Sequence, residues 1–306
     1  MGHEVVLVVF KKKGPLVDKL PLNLKVIDLS DSKLKVLFAL MVSIKRVNPD
    51  VLISCVRDSN ILTGMACIFN KNIVVFREAN TLDLILRKPF LKRNIWLLLM
   101  KLSYKRANTI IANSKGTLQD LIDWSITKQV KCTVIGNPII DSSYILNTNQ
   151  PNCEWVKDPE IKIILNVGRL VVAKNQKMLI ESFALLEKKY PKARLLICGD
   201  GPLRSELNLL IESKSLSNKA KILGFQHNIK DYYANSNIFA LTSSWEGFGN
   251  VIVEALYYGL PVISTNCKGG PSEILKNGCR GKLVEKNNIE AFSDALLNTL
   301  EYEGEY

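Results

Sequence analysis

Paired cysteines are the first thing this chain lacks. Its seven, Cys55, Cys67, Cys132, Cys153, Cys198, Cys267 and Cys279, are odd in number, scattered, and never in C-x-x-C spacing. A disulfide scaffold and a zinc site both go unsupported, and a reducing cytoplasm is the expected setting. Histidine is scarce, with only His3 and His227 among 306 residues. His3 reads as a turn residue and His227 as a solvated side chain in a polar loop. No His, Cys or Asp cluster has metal-ligand spacing, so no metal is expected. A bilayer span needs ~18 or more apolar residues in a row, and none is present. The run from Val36 to Ile44 is flanked by Lys35 and Lys45 and reads as a buried helix. Neither a signal-peptide pattern nor a nucleic-acid-binding motif is visible, which argues against nucleic acid as a partner.

What is present is globular composition, 47% hydrophobic and 23% charged, at a length suited to two domains. The net charge of +12 is lopsided: residues 1–150 hold 22 Lys and Arg against 11 Asp and Glu, and residues 151–306 hold 19 against 18. The excess gathers in Arg87, Lys88, Lys92, Arg93, Lys101, Lys105 and Arg106, interleaved with Phe90, Ile95, Trp96, Leu97, Leu98, Leu99, Met100 and Tyr104, without one acid from 87 to 106. Two readings fit: a basic amphipathic helix resting on an anionic membrane, or a core helix with solvated lysines. The first places the chain on the inner face of the cytoplasmic membrane.

Short β-branched runs alternate with helical patterns along the whole chain. Leu24–Leu29, Val51–Cys55, Ile73–Phe76, Thr109–Ala112 and Val130–Ile135 read as strands in the first half, Ile161–Val167, Ala193–Cys198, Asn237–Leu241 and Pro261–Ser264 in the second. Between them, Lys33–Val47, Ile61–Phe69, Lys115–Asp123, Gln176–Lys189, Val251–Tyr258 and Ile289–Leu300 read as helices. That alternation predicts an α/β fold of two doubly wound parallel sheets. A polar stretch, Asn147–Asp158, reads as a linker, giving domains of 1–150 and 151–306.

One stretch, Leu241–Ile274, carries the most chemistry. Glu246-Gly247-Phe248-Gly249 ends a strand, and Glu254 lies about a turn into the helix that follows. A carboxylate at the carboxyl end of a parallel strand faces the usual ligand crevice. Gly247 and Gly249 let the backbone approach a ligand, and the first amides of the helix, from Asn250 and Val251, favour oxygen acceptors. Eight residues of helical rise separate the two acids by roughly 10 Å. A nucleotide sugar has that layout, with hydroxyls at either end and a diphosphate between, and carboxylates bind diols well. Solvated glutamates on an ordinary helix would look the same by themselves.

Glu246-Gly-Phe-Gly-Asn-Val-Ile-Val-Glu254, followed by Gly259-Leu-Pro-Val-Ile-Ser264 and Gly269-Gly-Pro-Ser-Glu273, resembles the E-x7-E signature of the family 4 retaining glycosyltransferases of the GT-B fold. The resemblance implies two Rossmann-like domains facing across a cleft. It places Gly168, Arg169 and Lys174 on the donor diphosphate, Gly224 and Phe225 beside the nucleotide base, Glu246 and the Gly247–Asn250 amides on the hexose, and Glu254 on the ribose. Arg169, Lys174 and Glu246 are then the catalytic candidates. The donor expected is a nucleoside-diphosphate sugar, UDP-linked, with no metal cofactor. The acceptor expected is a glycan or lipid-linked glycan in surface polysaccharide synthesis. Arg77 and Glu78, at a strand end where many relatives carry a histidine motif, are candidates for the acceptor or sugar side, with a structural ion pair as the alternative. Against the family's pattern, the first strand, its glycine loop and the first helix look absent, as does a closing C-terminal helix. A sugar-nucleotide-binding remnant without turnover, a sugar-nucleotide 2-epimerase and a basic membrane-adhering scaffold therefore stay open as alternatives.

Overall fold

The computed structural model describes residues 2–13, 17, 20–29, 33–128, 131–140, 149–151 and 153–302, the side chains of 33–35 excepted. Val130, positions 147, 148 and 152 of the expected linker, and the acidic tail beyond Tyr302 lie outside these. Contacts divide the chain into two compact units, Met1–Ala112 with Leu118–Val134, and Asn113–Thr117 with Ile135–Tyr306.

In the first unit β1 (Val6–Val9) and β2 (Lys25–Asp28) form a parallel pair. There follow α1 (Lys33–Val47), β3 (Val51–Cys55), α2 (Arg57–Ala66), β4 (Ile73–Glu78), α3 (Asp83–Leu86), α4 (Phe90–Tyr104), β5 (Thr109–Ala112), α5 (Lys115–Asp123) and β6 (Cys132–Val134). The last four strands make a parallel sheet in the order β3-β4-β5-β6. Its core joins Val74, Phe76 and Ile110 of the strands to Ile61, Met100 and Tyr104 of the helices. Two expectations need correcting. The apolar run in α1 is buried on one side only: Val36, Leu40 and Ile44 are covered, while Phe38, Met41 and Val42 stay exposed. A stripe at i, i+4, i+8 can pack against one layer, and nothing in the described residues covers the other side. The second helix starts at Arg57, before Ile61, and stops at Ala66, before Phe69. Side-chain bonds from Arg57 and Asn60 tie down its polar first turn, which a reading of apolar periodicity does not register.

The second unit contains α6 (Glu154–Lys157), β7 (Lys162–Val167), α7 (Gln176–Lys189), β8 (Ala193–Cys198), α8 (Arg204–Ser213), β9 (Ala220–Gly224), α9 (Ile229–Ala234), β10 (Ile238–Leu241), α10 (Asn250–Tyr257), β11 (Val262–Thr265), α11 (Pro271–Ile274), β12 (Lys282–Val284) and α12 (Ile289–Leu300). All six strands are parallel, in the order β9-β8-β7-β10-β11-β12. Successive residues of one strand point to opposite faces, and here both faces are dry. Ile164, Leu195, Ile197, Ala240 and Ile263 pack with Leu179 and Phe183 of α7, Ile211 of α8 and Phe292 of α12. Their neighbours Leu165, Leu196, Phe239 and Val262 pack with Tyr233 of α9 and Ile252 and Ala255 of α10. Two-sided burial is why these strands read as unbroken apolar runs. Trp155 and Cys153 join the second of these cores, and Lys221 lies 4.2 Å over the Trp155 ring. The later half of the expected linker is thus packed structure, because a tryptophan in a polar stretch still carries its apolar surface inward.

Candidate active site

The strand order places the site. The chain winds β7, β8, β9 outward in one direction, then returns to lay β10, β11 and β12 on the other side of β7. At such a reversal the loops leaving two adjacent strands turn to opposite faces of the sheet and open a crevice at the carboxyl ends, the usual ligand position in doubly wound sheets. Here the loops are those leaving β7 and β10. The two strands pair only as far as Leu165 and Phe239. Just beyond, the buried Asn166 amide reaches across to the Ala240 carbonyl at 2.8 Å.

From β7 the chain runs through Gly168 and the exposed Arg169 into a short 3-10 turn, Val172–Lys174. Asn175 then takes a left-handed conformation (φ 47°) and starts α7, a geometry that asparagine tolerates better than most residues. From β10 the chain runs through three hydroxyl residues, Thr242, Ser243 and Ser244, to Trp245 and Glu246. These two loops are stitched together. The Thr242 hydroxyl donates toward the carbonyls of Lys174 (3.2 Å) and Asn175 (3.0 Å), and the Ser244 amide donates to the Ala173 carbonyl at 2.8 Å. At the centre Lys174 Nζ lies 2.5 Å from Glu246 Oε1, and the Ser243 hydroxyl donates to the same oxygen at 2.7 Å. The two side chains of the ion pair are 20% and 10% exposed, so the pair is largely covered yet reachable from the crevice.

The loop after β11 supports this pair from beneath. The Glu246 amide donates to the Lys268 carbonyl at 3.1 Å. Gly269 sits at φ +119°, and a Cβ there would stand 1.8 Å from the Glu246 carbonyl oxygen, so only glycine fits. Beside it Cys267 is 3% exposed. Burial, then the nearby Glu246 charge, push its thiol up to about 12, so it stays a neutral packing group. Gly249, at φ +97°, turns the chain into α10. Asn250 is exposed, and its side-chain oxygen accepts from Asn137 at 2.7 Å.

Residues 153–306 match the family described as Glycosyl transferases group 1, and residues 1–142 match the one described as Glycosyltransferase Family 4. This chain belongs to the group 1 glycosyl transferases. Among its relatives are an uncharacterized glycosyltransferase of Methanocaldococcus jannaschii, 32% identical over 79% of this chain and 62% of that protein, and a Campylobacter jejuni N-acetylgalactosaminyltransferase named for a diphospho-undecaprenol-linked acceptor, 34% identical over 79% of this chain and 64% of that one. The chain therefore spans a little under two thirds of the length of these curated relatives. The fold is also that of Anabaena HepE, solved with UDP and glucose, at a TM-score of 0.80 and 21% identity over 97% of this chain and 82% of that one. Two parallel-sheet units of this kind are the GT-B architecture.

Within this group 1 transferase the structure brings some of the expected residues together and keeps others apart. Lys174 and Glu246, expected at different portions of a donor, are in direct contact. Arg169 is exposed on the loop that leads to Lys174, and its carbonyl accepts from the Gln176 side chain at 3.1 Å. Glu254 is held on α10 by the Tyr233 hydroxyl at 2.8 Å. Gly247 is buried, Phe248 half-buried and Val251 half-buried. Gly224 ends β9, two strands from β7, at φ +74°, and Phe225 beyond it is 70% exposed with its ring edge against His227.

In the first unit Glu78 ends β4 and is 1% exposed. Its carboxylate accepts from Arg57 at 3.1 Å, from Asn60 at 3.3 Å and from the Tyr104 hydroxyl. Burial, then the Glu78 charge, push the Tyr104 hydroxyl well above the ordinary tyrosine range, so it remains a donor. The partner that Glu78 finds is Arg57; Arg77, its neighbour in sequence, points to the other face of the strand by alternation. Sequence reasoning missed Ser243, Thr242, Asn166 and Tyr233. Three hydroxyl residues in a row at the end of an apolar strand were the available signal for the first two. Tyr233 had none, since its contact with Glu254 depends on how α9 packs on α10.

Proposed function

We propose that this chain transfers a hexosyl or N-acetylhexosaminyl group, with retention, from a UDP-linked sugar to a glycan acceptor. The observation that carries the reading is the meeting of Lys174 with Glu246 at the switch point between β7 and β10. A cation and a carboxylate placed there suit a ligand with a phosphate beside a polyol. The diphosphate draws Lys174 and Arg169, and Glu246 accepts from hexose hydroxyls. Glu254, already oriented by Tyr233, takes the ribose diol, and Gly224 and Phe225 lie toward the base.

The step is a front-face displacement. The acceptor oxygen forms its bond to the anomeric carbon on the face from which the phosphate oxygen departs, and the acceptor's proton passes to that departing phosphate. Negative charge grows on the leaving diphosphate, and Arg169 and Lys174 neutralise it without a metal ion. Electrostatic groups of this kind account for ~10²–10³-fold in rate.

A lipid-linked acceptor is favoured by α4. Leu91, Ile95, Leu98 and Leu102 are each about half exposed or more, and Phe90 is 70% exposed. At ~100° per residue the four aliphatic side chains fall within about 60° of arc. Lys101 and Lys105 lie along one edge of that stripe and Lys92 along the other, an arrangement suited to lying on an anionic leaflet. Arg106, counted with the basic patch in the sequence, is instead spent on the carbonyls of Cys67, Asn70 and Asn72. The diphospho-undecaprenol acceptor named for the Campylobacter relative agrees with a membrane-borne substrate.

The test is transfer from radiolabelled UDP-glucose, UDP-N-acetylglucosamine and UDP-N-acetylgalactosamine to undecaprenyl-diphosphate-linked sugars. Acceptor-dependent product with the anomeric configuration of the donor is expected. UDP release without an acceptor, accompanied by a sugar epimer, would replace this reading with an epimerase; binding of UDP with no turnover would replace it with a nucleotide-sugar binder.

A further inference from the structure

Ser243 is buried completely, at 0% exposure, and its one hydroxyl proton is committed to Glu246 Oε1. Its backbone is clamped as well, because the Thr265 hydroxyl donates to the Ser243 carbonyl at 2.6 Å. The residues on either side do something different. Thr242 and Ser244 hold the backbone of the Lys174 turn, through the Lys174, Asn175 and Ala173 carbonyls. Three consecutive residues thus divide the work: the outer two fix the cation's turn, and the middle one addresses only the carboxylate.

That division matters once a diphosphate enters. Glu246 is 8% exposed, and its cation is the side chain that the phosphate would draw away. A lysine has four carbons of reach and can follow the phosphate; a carboxylate at the base of a crevice cannot follow its lysine. With Lys174 gone, the carboxylate needs another donor to stay aimed, and the Ser243 hydroxyl is already bonded to it. We propose that Ser243 is a positioning residue, holding Glu246 in its sugar-facing orientation while Lys174 exchanges from the carboxylate to the donor's phosphate. The inference rests on the reading that Glu246 faces the donor hexose, and it predicts an effect confined to the sugar.

Calorimetry with UDP and with UDP-glucose, UDP-N-acetylglucosamine and UDP-N-acetylgalactosamine tests it, taking the tightest sugar nucleotide for the wild type. A hydrogen bond to a charged group is worth enough that Ser243→Ala is expected to weaken sugar-nucleotide binding about 10-fold, with UDP affinity within about twofold of the wild type. Ser243→Thr, which keeps the hydroxyl, is expected to restore the sugar-dependent part, and Ser243→Cys, near in volume but a weak donor, to behave like alanine. The Cys variant also stands in if the alanine variant fails to fold. Equal weakening of UDP and UDP-sugar, or an unchanged ratio of the two affinities, overturns the positioning role while leaving the site reading intact. Failure of the wild type to bind any of the four nucleotides overturns the site reading and this inference with it.

Discussion

Each unit keeps one carboxylate buried against a cation at the carboxyl end of its parallel sheet, and the two are treated differently. Glu78 in the first unit is sealed at 1% exposure, and Arg57 facing it also bonds the Asn80 and Thr81 carbonyls at 2.9 and 3.1 Å. Both oxygens of the Glu78 carboxylate are bonded within the fold, so exchange of a partner would leave buried charge behind. Glu246 in the second unit faces a lysine with no second side-chain acceptor in the described network, at a place where two strands separate. The same pairing chemistry is a fastening in one unit and, in the proposal above, an exchangeable contact in the other. What decides is the surroundings: a closed set of partners under α2 and α4, or a crevice made by the winding of the chain.

The comparison breaks most readily at Glu78. Removing one partner of a buried ion pair costs about 3–5 kcal/mol, so Glu78→Ala is expected to lower the unfolding free energy of the first unit, read from its urea transition, by that much. A loss of activity with unchanged stability would move Glu78 into the site. Lys174→Ala is expected to do the reverse. Transfer should fall ~10²-fold or more, and stability by only about 1 kcal/mol, because the pair's partial exposure places it between surface and buried regimes. A fully stable variant with unimpaired turnover would show the lysine to be incidental.

How far these features were legible in the sequence follows the same contrast. The strands of the second unit stand out because both of their faces are buried, and Ala193–Cys198 is found where its apolar run predicts. The helix after Glu246 announces itself by Gly249 before it and Gly259 and Pro261 after it. The contact between Lys174 and Glu246 was not legible, since they lie 72 positions apart and meet only because β10 returns to the side of β7. Arg77 and Glu78, adjacent in sequence, belong to opposite faces of one strand, and the cation that Glu78 meets, Arg57, lies 21 positions away. Trp155 was hidden by polar neighbours.

Smaller effects sharpen the difference in surface between the units. Leu98→Asp with Leu102→Asp in α4 is expected to abolish sedimentation with vesicles containing anionic lipid. Wild-type binding should weaken as salt rises, with each cation at the surface contributing ~1 kcal/mol. Salt-independent binding, or none to anionic vesicles, would leave α4 as an ordinary exposed helix. The smallest effect concerns the thiols. Burial pushes both Cys198 and Cys267 up to about 12, so at pH 8 iodoacetamide is expected to label the exposed Cys55 and Cys279 and spare these two until the chain unfolds. Rapid labelling of Cys267 in the folded protein would mean that the floor beneath Glu246 is open.

The central claim is that the crevice between β7 and β10 holds a nucleoside diphosphate through Lys174 and Arg169. Titration calorimetry of UDP against the wild type and the Arg169→Ala, Lys174→Ala double variant measures this directly. A single saturable site in the wild type, weakened ~10²-fold or more in the double variant, is the predicted result on the strength of two charge-assisted contacts. Equal affinity in the two proteins would contradict it.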